Sequence, residues 1–258
     1  MTTIVQQAST QALREFLLRM GDSTLILGHR ISEWCGHSPV LEEDIAMANV
    51  ALDLIGQTQF WLGLAAEVED EGRTADDLAY LRDAVAFRNL LLAEQPNGDY
   101  AHTLMRQFLF DAWHILQLEA LLESSDARVA EIAGKAIKEV SYHLDRTSEM
   151  VIRLGDGTAE SHKRMQTALD DLWSYTGEMF LGDACDDEVA QAGIAPAPAS
   201  LRDAWMQTVR EVMEQATLKV PDSTYAHRGG KQGRHTEHLG FILAEMQFLQ
   251  RAYPGCTW

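Results

Sequence analysis

The chain has 258 residues, 46% of them apolar, enough for one sizeable core or two small ones without help from disulfides. Its 39 acidic side chains against 21 basic ones leave a formal charge of -18, which disfavours attraction to nucleic-acid phosphates or anionic lipid. Its three cysteines lie far apart without a CxxC pair, and no stretch reaches the roughly 18 uninterrupted apolar residues of a membrane span, so the reading is a reduced, soluble, cytoplasmic protein with no nucleic-acid and no membrane partner.

Apolar spacings of three and four recur along the chain and strand alternation never persists, which predicts helices near 8–33, 41–68, 75–93, 99–123, 127–154, 160–181, 200–217 and 236–251. The first is broken by Arg14, Glu15 and Arg19, where a secretory signal would need a continuous apolar run. Gly36-His37-Ser38-Pro39 separates it from the second, and Cys35, with no activating base nearby, reads as a small buried residue. The second helix reads as buried, its apolar run interrupted by the four-residue stripe Asn49, Asp53 and Gln57. Pro96-Asn97-Gly98 is a turn, and Asp99 caps the fourth helix. There Leu104, Phe108, Ile115 and Leu122 form the apolar face, with Asp111 and His114 on it. In the fifth, Val129, Ile132, Ala133, Ala136 and Val140 begin a broad apolar face that also carries His143, preceded by Glu139. Trp34, Trp61, Trp113, Trp173 and Trp205 mostly sit at helical positions, which core packing or a protein interface would explain equally in sequence terms. A loop from Gly182 to Ser200 precedes the last two helices. The pattern predicts an all-α, ferritin-like four-helix bundle made of helices 41–68, 99–123, 127–154 and 160–181 with additional flanking helices. It reads as a single domain over 1–258 in which 182–258 supplies loop and helix additions.

An acid followed three residues later by histidine lets adjacent helical turns aim an oxygen and a nitrogen at one metal. A di-iron bundle needs two such pairs, and only Asp111 with His114 qualifies. Asp170 and Asp171 are followed at that spacing by Trp173 and Ser174, an indole donor and a weak hydroxyl ligand. The reading is therefore that Asp53, Asp111, His114, Glu139, His143 and Asp171 form a degenerate metal site or buried polar network, with no catalytic residue and no metal ligand among them. Unpaired carboxylates in a bundle would otherwise cost several kcal/mol.

The strings ISEWCGHSPVLEEDIAMANVALDLIGQ (31–57), LLLAEQPNGDYAHTLMRQFLFDAWH (90–114), KAIKEVSYHLDR (135–146) and GGKQGRHTEHLGFILAEMQFLQRAYPG (229–255) closely resemble the C-subunit family of the bacterial phenylacetyl-CoA ring epoxidases. The resemblance implies a noncatalytic structural subunit in aerobic phenylacetate degradation. Its partners would be a di-iron catalytic A subunit and other oxygenase subunits, with phenylacetyl-CoA as substrate of the complex. The implied cofactors are none in this chain, di-iron in the partner, and NADPH with a flavin/iron-sulfur reductase. Asp111 and His114 match remnants of the A subunit's ligand positions. Self-association of the isolated chain is left open.

Arg228, Lys231, Arg234 and His235 form a basic loop ahead of the last helix, readable as a partner or CoA contact or as a plain basic loop; it lacks the GxxxxGK[ST] of a P-loop. His235, Glu237 and His238 read as a cap or interface network, since a zinc site needs further placed ligands. Two other functions remain: an independent di-iron or di-manganese carboxylate oxidase using Asp111, His114, Glu139 and His143, and a ferritin-like binding or storage bundle, which a single acid-x-x-histidine pair supports little.

Overall fold

A computed structural model describes residues 2–256, with side-chain environments from Thr10 onward. The described residues carry helices and no strands. The α-helices are α1 (Thr2–Ser32), α2 (Leu41–Glu69), α3 (Ala75–Tyr80), α4 (Tyr100–Leu121), α5 (Ala127–Gly155), α6 (Ala159–Trp173), α7 (Ala184–Gln191), α8 (Arg202–Gln215), α9 (Glu237–Met246) and α10 (Phe248–Ala252). They belong to two compact units, one from the described parts of Met1–Gln95 and Gly229–Trp258, the other Pro96–Arg228. The stretch 182–258 is thus divided between the units at Arg228.

In the first unit α1 and α2 form an antiparallel pair. Thr24 Oγ1 meets Thr58 Oγ1 at 2.8 Å, Arg14 meets Glu69 at 2.6 Å, and Gly28 faces Leu54, so partner numbers fall as α1 advances. Glycine sets the approach: a Cβ on Gly21 would lie 2.6 Å from Leu62 Cδ2. Helix α2 is buried along Met47, Val50, Leu54, Trp61 and Leu62 but leaves Leu41, Ile45, Leu52 and Phe60 exposed, so it is half-buried and not a fully enclosed helix. Cys35, expected to be buried, is exposed in the turn after α1, where a small residue has no core to enter.

The helix expected over 75–93 stops at Tyr80. Side chains of α1 take the backbone donors that helix hydrogen bonds would use. Asp22 Oδ2 accepts the Arg88 N–H at 2.8 Å, and Ser23 Oγ accepts the Leu90 N–H at 3.1 Å. Asp22 also pairs with the Arg82 guanidinium, which lies 4.4 Å over the Phe87 ring. With those partners in place the segment 87–95 runs irregularly and almost wholly buried, because its polar backbone is satisfied without a helix. Gln247, just before α10, fastens the same region: its Nε2 donates to the carbonyls of Ala79 and Arg82, each at 3.0 Å.

In the second unit α4 packs antiparallel on α5, as the contact of Gly134 with Leu122 and of Asp111 with Thr147 requires. Helix α4 is buried without a break from Thr103 to His114, whereas α5 buries one face: Val129, Ile132, Ala133, Ala136, Val140, His143, Thr147 and Val151. Trp205 of α8 seals against α4, its Nε1 donating to the Leu109 carbonyl at 3.1 Å. Helix α6 ends at Trp173 rather than near residue 181, where Thr176 Oγ1 donates to the Trp173 carbonyl at 2.7 Å and the chain tightens into a 3-10 turn, Gly177–Phe180. The expected loop 182–200 contains α7, started by a reciprocal cap between Asp183 and Asp186.

Candidate functional site

The antiparallel α4–α5 pair gathers Asp111, His114 and His143, each with no exposed surface. Asp111 lies on α4 with Gln107 one turn before it and Thr147 across from it. Its Oδ1 accepts from Gln107 Nε2 at 2.6 Å and its Oδ2 accepts from Thr147 Oγ1 at 3.2 Å. Burial pushes the carboxyl up to about 7; the neighbouring His143 and the two hydrogen bonds pull the other way and do not overcome it. His114 sits among aromatic rings, 5.1 Å from Phe110 and 6.0 Å from Trp113 by centroid. Neither of its ring nitrogens has a hydrogen-bond partner among the described residues. Burial, with the charge of His143 adding to it, lowers its pKa to about 3. Burial thus holds the His114 imidazole neutral near neutral pH and favours the protonated form of the Asp111 carboxyl.

That arrangement fits a di-metal centre poorly. A ligating imidazole normally donates its second nitrogen to a carboxylate or carbonyl, and His114 has no such partner. Asp171, expected in the inward network, is instead exposed: its Oδ2 lies 3.1 Å from His102 Nε2, whose Nδ1 lies 2.8 Å from Asp99. Its position on α6 turns it outward, while Leu172 and Trp173 enter the core. Glu139 is half-buried on α5, one turn before His143, and Asp53 is half-buried on α2 in the first unit. Among the described residues no group of three or more His, Cys, Asp or Glu side chains is placed to hold a metal ion.

The first unit contains a polar cluster that sequence spacing does not reveal. Glu94 is fully buried and accepts from Asn89 Nδ2 at 2.9 Å and from the Thr236 N–H at 2.6 Å. His235 Nδ1 lies 2.9 Å from the same carboxylate and its Nε2 lies 3.0 Å from the Phe87 carbonyl. The loop 228–235 is therefore split: Lys231 and the His235 side chain turn inward, and Arg228 and Arg234 stay exposed. The backbone donor at the start of α9 is occupied by Glu94, a carboxyl group of the chain itself. Gly233, in the left-handed region at φ 75°, is needed for this seating, since a Cβ would lie 2.2 Å from the Val85 carbonyl oxygen. The local signal is slight, a glutamate in an apolar run before Pro96, and only the return of the C-terminal segment gives it meaning. No described helix is long and apolar enough to cross a membrane.

The C subunit of the 1,2-phenylacetyl-CoA epoxidase of Escherichia coli (strain K12) is 48% identical over 246 residues, spanning 95% of this chain and 99% of that protein. The family model for phenylacetic acid catabolic protein matches residues 1–258. Matched by the family model along its whole length, the chain belongs to the phenylacetic acid catabolic protein family.

Proposed function

We propose that this chain is a noncatalytic structural subunit of a multicomponent phenylacetyl-CoA epoxidase, working in the cytoplasm beside a di-iron catalytic subunit. The observation that carries the reading is the pairing of 48% identity to the C subunit of an epoxidase with a buried Asp111–His114 pair that lacks the rest of a ligand set. On this reading the di-iron centre resides in the partner, phenylacetyl-CoA meets the complex, and electrons come from NADPH through a flavin/iron-sulfur reductase. The chain's own contribution is mechanical. A catalytic bundle must keep its ligand helices in register while oxygen, electrons and a bulky thioester reach it, and a second bundle packed on its outside restricts their motion.

The alternative, an independent di-iron or di-manganese oxidase, would need a second carboxylate–histidine helix. The outward Asp171 and the buried Trp173 leave α6 without one. The test is to produce the catalytic subunit with and without this chain and compare folded yield, iron retention and turnover. All three should fall without the chain. Equal yield, iron and turnover in both preparations would remove the structural role.

A further inference from the structure

Residues 219–227 have no regular secondary structure, yet they are fastened along α6 and the turn after it. Gln166 Nε2 donates to the Lys219 carbonyl at 2.9 Å, and the Lys219 N–H returns a bond to Gln166 Oε1 at 2.8 Å. Trp173 Nε1 donates to the Ser223 carbonyl at 3.2 Å, and the His227 N–H donates to the Ser174 carbonyl at 2.8 Å. The His227 ring stacks on Tyr175 with centroids 4.5 Å apart. Gly177 permits the closest approach, because a Cβ there would stand 2.4 Å from that of Ala226. Between this fastened segment and α8 lies a preformed cleft of about 330 Å³, inside the ~300–1,000 Å³ range of small-molecule sites.

The lining of the cleft combines two chemistries. Trp173, Phe180 and Trp205 make an aromatic floor, with centroids 5.7 Å apart for the two indoles and 5.1 Å for Phe180 with Trp205. Tyr225, 64% exposed, stands at the rim. Arg202 and Arg210 line the same cleft from α8, with Met206 between them at four-residue spacing, so all three share one helix face and the two cations start about 12 Å apart along the axis. Among the described residues neither guanidinium makes a hydrogen bond or ion pair, and the lining carboxylate, Asp222, engages neither. Two uncommitted guanidiniums are unusual company for one cleft in a chain of charge -18. They are the groups that pair with carboxylate or phosphate, while aromatic walls take a flat ring.

We infer that this cleft binds a small organic anion that joins a planar ring to a carboxylate or phosphate, the ring against Tyr225 at the rim above the Trp173 floor and the anion on Arg202 and Arg210. The inference uses no residue of the α4–α5 core and no partner subunit, so it stands or falls apart from the epoxidase reading. Calorimetric titration of the full chain at low salt with phenylacetate, AMP and inorganic phosphate tests it. The expected result is saturable binding of phenylacetate or AMP at least about tenfold tighter than phosphate, an interval of about 1.4 kcal/mol. Whichever of the two binds identifies an aryl carboxylate or a nucleotide as the source. The R202E/R210E variant should lose at least about tenfold of that affinity, again about 1.4 kcal/mol, with its melting temperature unchanged because both side chains are exposed. If that variant unfolds, R202Q/R210Q reads the same loss. Tyr225→Ala should weaken the ring-bearing ligand and leave phosphate alone. No saturable binding of either ring-bearing anion, phosphate binding as tightly as they do, or unchanged affinity in the arginine variants would overturn the assignment.

Discussion

Replacing Asp111 by asparagine should turn a pH-independent contribution to stability into a steep one. In the folded chain burial raises the Asp111 carboxyl from 3.8 to about 7. A raised folded pKa stabilises fully below the unfolded value and is lost as pH climbs through the folded one, so Asp111 weakens the fold progressively from about pH 4 to about pH 7. His114 does the reverse. Its pKa falls from 6.5 to about 3, so its contribution is complete above about pH 6.5 and disappears as pH drops toward 3. Between pH ~4 and ~6.5 the slopes have opposite signs and nearly cancel, because the folded pair keeps on Asp111 the proton that the unfolded chain keeps on His114. Asparagine resembles the protonated acid and removes one slope. At about 1.36 kcal/mol per pH unit, the variant should gain roughly 3 kcal/mol on wild type between pH 5 and pH 8. Urea unfolding of both proteins at intervals across that range measures the difference, and subtraction removes the other titrating groups. A difference that stays constant within about 1 kcal/mol would refute the raised carboxyl and with it the cancelling pair.

Four further variants test packing, ion pairing and capping. Gly155→Ala should lower stability by about 2 kcal/mol despite the better helix propensity of alanine, since its Cβ would lie 2.5 Å from the Ala216 carbonyl oxygen; Gly63→Ala, with open space around its Cβ, should raise stability by roughly 0.5–1 kcal/mol, and thermal melts read both signs. Asp22→Ala leaves Arg82 buried without its carboxylate and should cost about 3–5 kcal/mol in urea unfolding. Asp183→Ala removes the reciprocal cap of α7 at a cost of about 1 kcal/mol, and hydrogen exchange should speed up in residues 184–191 before it does in α5.

What the sequence discloses depends on where each residue's partner lies. Helix α5 reads clearly because one face carries its burial, and the local spacing of Val129, Ile132, Ala136 and Val140 is the same spacing that the packing uses. Asp111 and His114 are legible for the same reason, since both fall in the unbroken buried run of α4. The segment 81–95 misleads because Asp22 and Ser23, more than 60 residues earlier, supply the acceptors for Arg88 and Leu90. Asp171 shares a helix with buried Trp173, and two residues of a 3.6-residue period suffice to put it on the opposite side. The pairing of Glu94 with His235 spans 141 positions, so the basic character of 228–235 could be read while the inward turn of Lys231 and His235 could not. Helix α7 was within reach, because Asp183-x-x-Asp186 is a cap signature ahead of an apolar Val189.

In the proposed role this chain supports metal chemistry in a partner without holding a metal centre itself. The most direct measurement is metal analysis of the full chain after anaerobic loading with iron(II) and manganese(II) and desalting, alone and in complex with its catalytic partner. The chain alone should retain far less than one metal ion per molecule, and the complex should hold iron in proportion to the catalytic subunit. A di-metal stoichiometry retained by the isolated chain, and abolished by Asp111→Asn with His114→Phe, would contradict it.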